Sequence, residues 1–463
     1  MPNRQRAQAA RTIIAKCLAL APDSEVALVS DETTWVMARL LADAAIESNC
    51  RPLLMFFSQA FQQNNAPDSL GESVKAALRE VAATVLCVNG SAACLPFRDV
   101  IRRTAWGRGR KVAHMPGATW RSFLIADADY EQITRRCEGL ALALAKGNEI
   151  VIQSFDRAHG EHILRAQLKS WERLPIISDG IIRPGAWGNV PSGETYIAPV
   201  EGTAEGEIVI NGSLPGMILA PNHELVLEFH AGRLERVSPG NSRAARHLSK
   251  TQIEFATGRG DWNWSNLAEI GLGTHEGIRR LTGSPLLDEK KYGSVHIALG
   301  DNMDMGGLTE SVIHCDMVCL RPKVWIDDRL IIANGKIVLD EADWREDYRA
   351  LELPADWRAD AFVKRTVIEA DVDGEQRLRR YWDTSAGGMC SVPVGDDVAA
   401  RHAATVWQII KENGSAIQIP ELFARWQESQ GDSLDRRDLD RVVRVLEIYG
   451  LVQRTTIDGE QEG

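Results

Sequence analysis

The 463-residue sequence has no apolar run approaching the ~20 residues needed to span a bilayer. Its N-terminus, MPNRQRAQAARTIIAKCLAL, lacks a small-residue cleavage signature after its short apolar stretch, and reads as an amphipathic helix of a cytoplasmic protein. No glycine-rich phosphate loop follows any strand-like run, so dinucleotide or ATP binding has no support. Basic charge is in deficit, with 53 Lys and Arg against 64 Asp and Glu and a net charge of -11. That balance makes nucleic acid an unlikely partner, because counterion release needs clustered cations facing phosphates. Cysteine pairs are missing too. The eight cysteines, at 17, 50, 87, 94, 137, 315, 319 and 390, form no CxxC pair and no dense framework, as expected of reduced thiols in a cytosolic protein.

What is present is an ordinary globular composition, 44% hydrophobic and 25% charged, in a chain too long for one usual core. Residues 1–185 alternate strand-like runs (EVALVS, RPLLMFF, TVLCVN, EIVIQS) with helical ones (TTWVMARLLADAAIES, YEQITRRCEGLALALAKG). Such alternation predicts an α/β domain with a mainly parallel sheet. Residues 186–350 change to short β-like runs punctuated by Gly, Pro, Asn and Asp, which predicts a β-rich, α+β second domain. Within it Asn334-Gly335 is a two-residue hairpin signal. A charged, irregular linker covers 351–395. Residues 396–463 then carry three helical stripes, the second holding Trp426 after Pro420, followed by the strand-like LVQRT. This small helical piece resembles a winged-helix or PqqD-like peptide-recognition module.

The residues that point to chemistry lie in the β-rich region. In SVIHCDMV, His314 and Asp316 are two apart, so the period of a strand puts imidazole and carboxylate on one face, able to converge on one ion. The same alternation turns Cys315 and Cys319 away, toward core packing. In GSVHIALGDN, His296 shares its face with the small Ala298 while Val295, Ile297 and Leu299 take the other. Glu269 in NLAEIGLGTH and Glu194 in NVPSGETYIAP sit in apolar, glycine-punctuated surroundings, where a carboxylate needs a partner because burying an unpaired charge is expensive. A metal ion would supply one; singly, either Glu could instead cap a turn or pair with one of the 53 basic residues, and His296 could be a core histidine bonded to a backbone carbonyl.

In this order, PSGETYIAPVEGTAEGEIVINGS, AEIGLGTHEG, LLDEKKYGSVHIALGDN and IHCDMV resemble the successive motifs of the M29 (aminopeptidase T) family of metallopeptidases. The resemblance covers roughly residues 1–345 and is sharpest between 191 and 320. It implies that Glu194, Glu269, His296, His314 and Asp316 hold divalent ions, two in number, of zinc, cobalt or manganese, with Glu194 or Glu269 doubling as proton shuttle. It further implies a homodimer acting on a peptide or small amide. At the seventh residue after the first His, where aminopeptidases of the family carry Tyr, this sequence has Met303. The interval from His296 to His314 is also short, as in a divergent branch that resembles 2,5-dihydroxypyridine dioxygenase as well. On that alternative His296, His314 and Asp316 form a triad for one Fe(II).

Three further residues are candidates for substrate binding. His275, in GTHEG, either faces solvent or lines the pocket; Asp301 follows the His296 strand; Trp264, with Trp262 in DWNWSN, can wall a pocket or pack in the core. Asp288 and Glu289, with Lys290 and Lys291, read as a solvated charged turn. The C-terminal module is expected to bind a peptide and present it to the metal domain.

Overall fold

The computed structural model describes residues 2–339 apart from 65–69, 92–93, 108, 157–159, 169–174 and 308, and beyond them 409 and 424–428. The expected linker at 351–395 lies outside the described residues, as does the winged-helix-like module at 396–463 apart from those few positions.

The alternating first part yields strands β1 (Glu25–Ser30), β2 (Arg51–Phe56), β3 (Ala83–Cys87) and β4 (Lys111–His114), joined by β8 (Trp187–Asn189) in a five-stranded sheet of order β2-β1-β3-β4-β8. Every pairing in it is parallel. Helices therefore cross over between strands and cover its faces. The helix Trp35–Glu47 buries Met37, Ala38, Leu41 and Ala45 against Val26, Leu28 and Val85. The helix Tyr130–Lys146 starts at Asp129, whose side chain accepts from the Gln132 N–H and so satisfies one of the free amides of the first turn. It serves two cores, giving Ile133, Cys137 and Ala141 to this one and Leu140 and Leu144 to the next.

The remaining strands are antiparallel. They are β5 (Glu149–Asp156), β6 (Gly160–Gln167), β7 (Ile176–Ser178), β9 (Glu194–Ile197), β10 (Glu205–Ile210), β11 (Ser213–Leu214), β12 (Met217–Ile218), β13 (Leu225–His230), β14 (Arg233–Ser238), β15 (Leu267–Gly273), β16 (Val295–Gly300), β17 (His314–Cys319), β18 (Lys323–Ile326), β19 (Arg329–Ala333) and β20 (Lys336–Ile337). Eight form a sheet of order β14-β13-β10-β6-β5-β18-β19-β20, five form β17-β16-β15-β9-β7, and β11 pairs with β12. One assignment changes. EIVIQS, grouped above with the parallel strands, is β5 and pairs antiparallel with β6 and β18. A short apolar strand following an amphipathic helix looks the same in either sheet, and its partners decide, here β6, next along the chain, and the distant β18. Asn334 and Gly335 both have positive φ, 51° and 78°, and join β19 to β20 in the expected hairpin.

The main core is shared by both antiparallel sheets. Ile150, Ile152, Leu164, Ile208 and Leu227 come from the larger one, and Ile270, Leu272, Val295, Ile297, Leu299, Cys315 and Met317 from the smaller. Only one face of the smaller sheet is used in this way. Among the described residues, no helix is long and apolar enough to cross a membrane.

Candidate metal centre

The face of β17-β16-β15-β9 turned away from the core carries the ligand candidates. Register sets this directly: Glu194 pairs with Gly273, His296 with Gly271, Asp316 with Ala298 and His314 with Gly300. Between Leu267, opposite Leu299, and Glu269, opposite Ala298, the pairing shifts by a bulge. Simple alternation would put Leu267 beside Glu269 on the polar face. The extra residue Ala268 turns Leu267 into the core while Glu269 keeps its aim. Gly271 makes room for the first imidazole, because a β-carbon there would lie 2.0 Å from His296 Cε1. One turn of the pleat further, a β-carbon at Gly273 would strike the Lys291 carbonyl at 2.1 Å. The glycines of AEIGLG are thus spaces that the site fills.

All five residues singled out in the sequence come together. His296 Nε2 is 2.9 Å from Glu269 Oε1 and 3.9 Å from Glu194 Oε2, while His314 Nε2 is 3.0 Å from Glu269 Oε2 and 3.2 Å from Asp316 Oδ1. Glu269 therefore spans the site, one oxygen to each histidine. Two groups have ligand atoms within 4.8 Å of one another: Glu194, Glu289 and His296, and Glu269, His314 and Asp316. His314 Nδ1 donates to the Asp301 carbonyl oxygen at 2.7 Å, which leaves Nε2 as the ligand atom of the neutral ring.

Two residues were missed. Glu289 and Lys290 do not lie in a solvated turn; Lys290 is wholly buried, its Nζ 2.9 Å from Glu194 Oε1 and also bonded to Glu289 Oε1. Asp288 is buried as well, accepting from the Thr282 and Gly283 N–H groups. A run of four charges reads as solvated unless the groups that neutralise it are known, and Glu194 lies far off in sequence. Its position just before the His296 strand was the available signal.

The donor set fits a divalent cation. Four carboxylates face one ammonium in a buried space, and such an excess needs further positive charge. Protons answer that need in the protein alone. Burial opposes the His296 imidazolium, yet its hydrogen bond to Glu269 and the charges of Glu269 and Glu194 carry it up to about 9. His314 is likewise raised well above its usual value, against burial, by Asp316 and Glu269. Burial, with the nearby Glu194 and Asp316 carboxylates, pushes Glu289 up to about 8. Glu269, despite burial, is held well below the ordinary carboxylate range by both histidines. Two buried atoms of the first group, Glu194 Oε2 and His296 Nδ1, also have no hydrogen-bond partner. Glu194 Oε2, an acceptor left in this way, matches what a cation supplies.

The main chain of His275 and of Asp301 meets the site, at the Lys290 carbonyl and at His314 Nδ1. His275 is buried, not solvent-facing; Nδ1 accepts from the Gly277 N–H at 3.1 Å, Nε2 has no hydrogen-bond partner, and burial pushes its pKa down to about 4. The Asp301 carboxylate accepts from the Met303 and Ser311 N–H groups. Trp264 packs against the main core, while Trp262 is exposed. Cys315 and Cys319 are in the core, where burial raises both thiols, Cys319 to about 12.

No protein-family profile matches the chain. It is 25% identical over 171 residues to a 2,5-dihydroxypyridine 5,6-dioxygenase of Pseudomonas putida, a match covering 34% of this chain and 46% of that relative's length. The solved 2,5-dihydroxypyridine dioxygenase from Pseudomonas putida KT2440 is similar with a TM-score of 0.56 at 18% identity, covering 73% of this chain and 98% of the other. Wild-type AmpT from Thermus thermophilus is similar with a TM-score of 0.51 at 14% identity, covering 73% and 100%. These likenesses are of fold. Both sides of the resemblance seen in the motifs, to an aminopeptidase T and to a dioxygenase, have a structural counterpart.

Proposed function

We propose that this chain is a metal-dependent hydrolase of aminopeptidase type, holding two divalent ions and removing an N-terminal residue from a peptide or peptide-like amide. One observation carries the reading: Glu269 reaches His296 with one oxygen and His314 with the other, so that it links two groups, each of one imidazole and two carboxylates. Glu194, Glu289 and His296 would hold one ion, and Glu269, His314 and Asp316 the other. When bound, such ions polarise a carbonyl and bring the pKa of water near neutrality. The residues themselves hold and orient. Lys290 fixes Glu194 through Oε1 and leaves Oε2 for a cation or a proton. The side chains of His314 and Asp316 are the exposed members, 32% and 17%, so a substrate approaches over β17. Met303, buried beside the site strand, brings no proton donor to the position where relatives have Tyr.

The second reading, a non-haem Fe(II) dioxygenase of a hydroxylated heteroaromatic, is favoured by the sequence match with the pyridine dioxygenase. It requires His296, His314 and Asp316 around one ion, whereas the two histidines fall in separate groups here. Elemental analysis of anaerobically purified protein, with aminoacyl amides assayed against dihydroxypyridines, separates the two. The hydrolase reading expects about two zinc, cobalt or manganese per chain. It also expects His314→Ala to cost about 10³-fold or more of amide hydrolysis. One Fe(II) per chain with ring cleavage overturns it. A homodimer, and delivery of a peptide by the region after residue 396, belong to the same proposal.

A further inference from the structure

The two groups differ in formal charge. Glu194 and Glu289 share the ammonium of Lys290, so one negative charge remains on that side, whereas Glu269 and Asp316 have no Lys or Arg partner among the described residues and keep two. They differ in depth as well. The side chains of Glu194, Lys290 and His296 are at most 5% exposed, against 32% for His314.

Lys290 cannot withdraw. Its side chain has no solvent to move into, its N–H donates to the Leu287 carbonyl, and its carbonyl accepts from the His275 N–H at 2.9 Å. A dication brought to Glu194 Oε2 therefore shares one carboxylate with an ammonium 2.9 Å from the other oxygen. Like charges that close, in a buried space, repel far more strongly than at a surface. On the other side a dication meets two carboxylates and a neutral imidazole and leaves no excess charge.

We propose that Lys290 makes the two ion positions unequal, so that a divalent ion is held tightly by Glu269, His314 and Asp316 and weakly by Glu194, Glu289 and His296. This rests on the two-ion reading above and deepens it. The lysine acts as a built-in monovalent cation that limits how much charge the inner group accepts, and the inner ion becomes the exchangeable one although it lies deeper.

The test is a titration of the metal-free full chain with Zn(II) against a chromophoric chelator, which reads binding without activity. Two classes of one ion each are expected, separated by roughly a hundredfold or more. Asp316→Asn removes the tight class and keeps the weak one, and Glu289→Gln does the reverse. Lys290→Met strengthens the weak class roughly tenfold or more and leaves the tight class in place. If that variant fails to fold, the Asp316 and Glu289 variants still assign the classes. Two ions of equal affinity, or loss of the weak class on Asp316→Asn, overturn the proposal and leave the two-ion reading standing. Binding of no ion, or of only one at saturating Zn(II), overturns the two-ion reading itself.

Discussion

The described residues build two five-stranded sheets, one parallel and one antiparallel, and the candidate ligands from strands lie on the second. In the parallel sheet every residue of β3 and all but the first of β1 are buried, so both parities of these two strands serve packing under helices. In the antiparallel sheet alternate residues of β15, β16 and β17 enter the core and the others face the ion site. Buried apolar neighbours hold each ligand-bearing strand from below; of the six candidate ligands only Glu289 lies off the strands, in the turn before β16. A mid-strand residue can be catalytic only where one side of the sheet is withheld from packing. The inner strands β1 and β3 have no such side.

Three changes probe that contrast, in order of their expected effect on ion binding. The largest is Gly271→Ala, which puts a methyl group within 2.0 Å of the His296 ring. The ring must move, and a loss of about 100-fold in affinity at its group, with a stability cost of about 1–3 kcal/mol, is expected from metal titration and thermal unfolding. Unchanged values in both would show that the polar side of the sheet is not packed as described.

pH comes next. The His296 imidazolium, against the burial that opposes it, is supported by Glu269 up to about 9, and His314 is raised too, while an ion requires both rings neutral. The sign follows: at neutral pH the protons compete, so affinity climbs with pH by up to about tenfold per unit for each proton displaced. Calorimetry at neutral pH in buffers of different ionisation heat should register more than one proton released per chain filled. Heats that do not vary with the buffer contradict this.

The smallest effect on ions comes from the other side of the same strand. Ile297→Ala empties a wholly buried position next to His296, at a cost of about 2–5 kcal/mol in unfolding free energy. Ion affinity below the transition should stay within about twofold, since the deleted atoms face the core. Leu28→Ala in the parallel sheet should behave alike. A large loss of affinity from either would erase the distinction between the two sheets.

Much of the ligand set was legible because β-periodicity is local. His314 and Asp316 at a spacing of two, His296 beside Ala298, and Glu269 among glycines each declared a side before any partner was known. Bulges are not local in this sense. Nothing in LAEIGLG announces that Ala268 is the residue that opposes no partner, since that depends on Leu299 and Ala298 across the ladder. The burial of Asp288, Glu289 and Lys290 was hidden for a related reason: a DEKK run is soluble by composition, and it becomes interior only because Glu194, from another strand, shares the ammonium. β5 was misplaced because β6, its antiparallel neighbour next along the chain, was not read as a strand, and its other partner β18 lies far away in sequence.

The contact between His314 Nδ1 and the Asp301 carbonyl oxygen, 2.7 Å long, belongs to the main chain on its accepting side. No exchange of the side chain at 301 deletes it. The ring's tautomer is thus inherited from the course of the backbone after β16, and a survey of activity by alanine replacement would credit the wrong atom or none. What must be preserved through mutation and drift at that position is the path of the polypeptide, with its identity free to change so long as the loop through 301–311 closes in the same way.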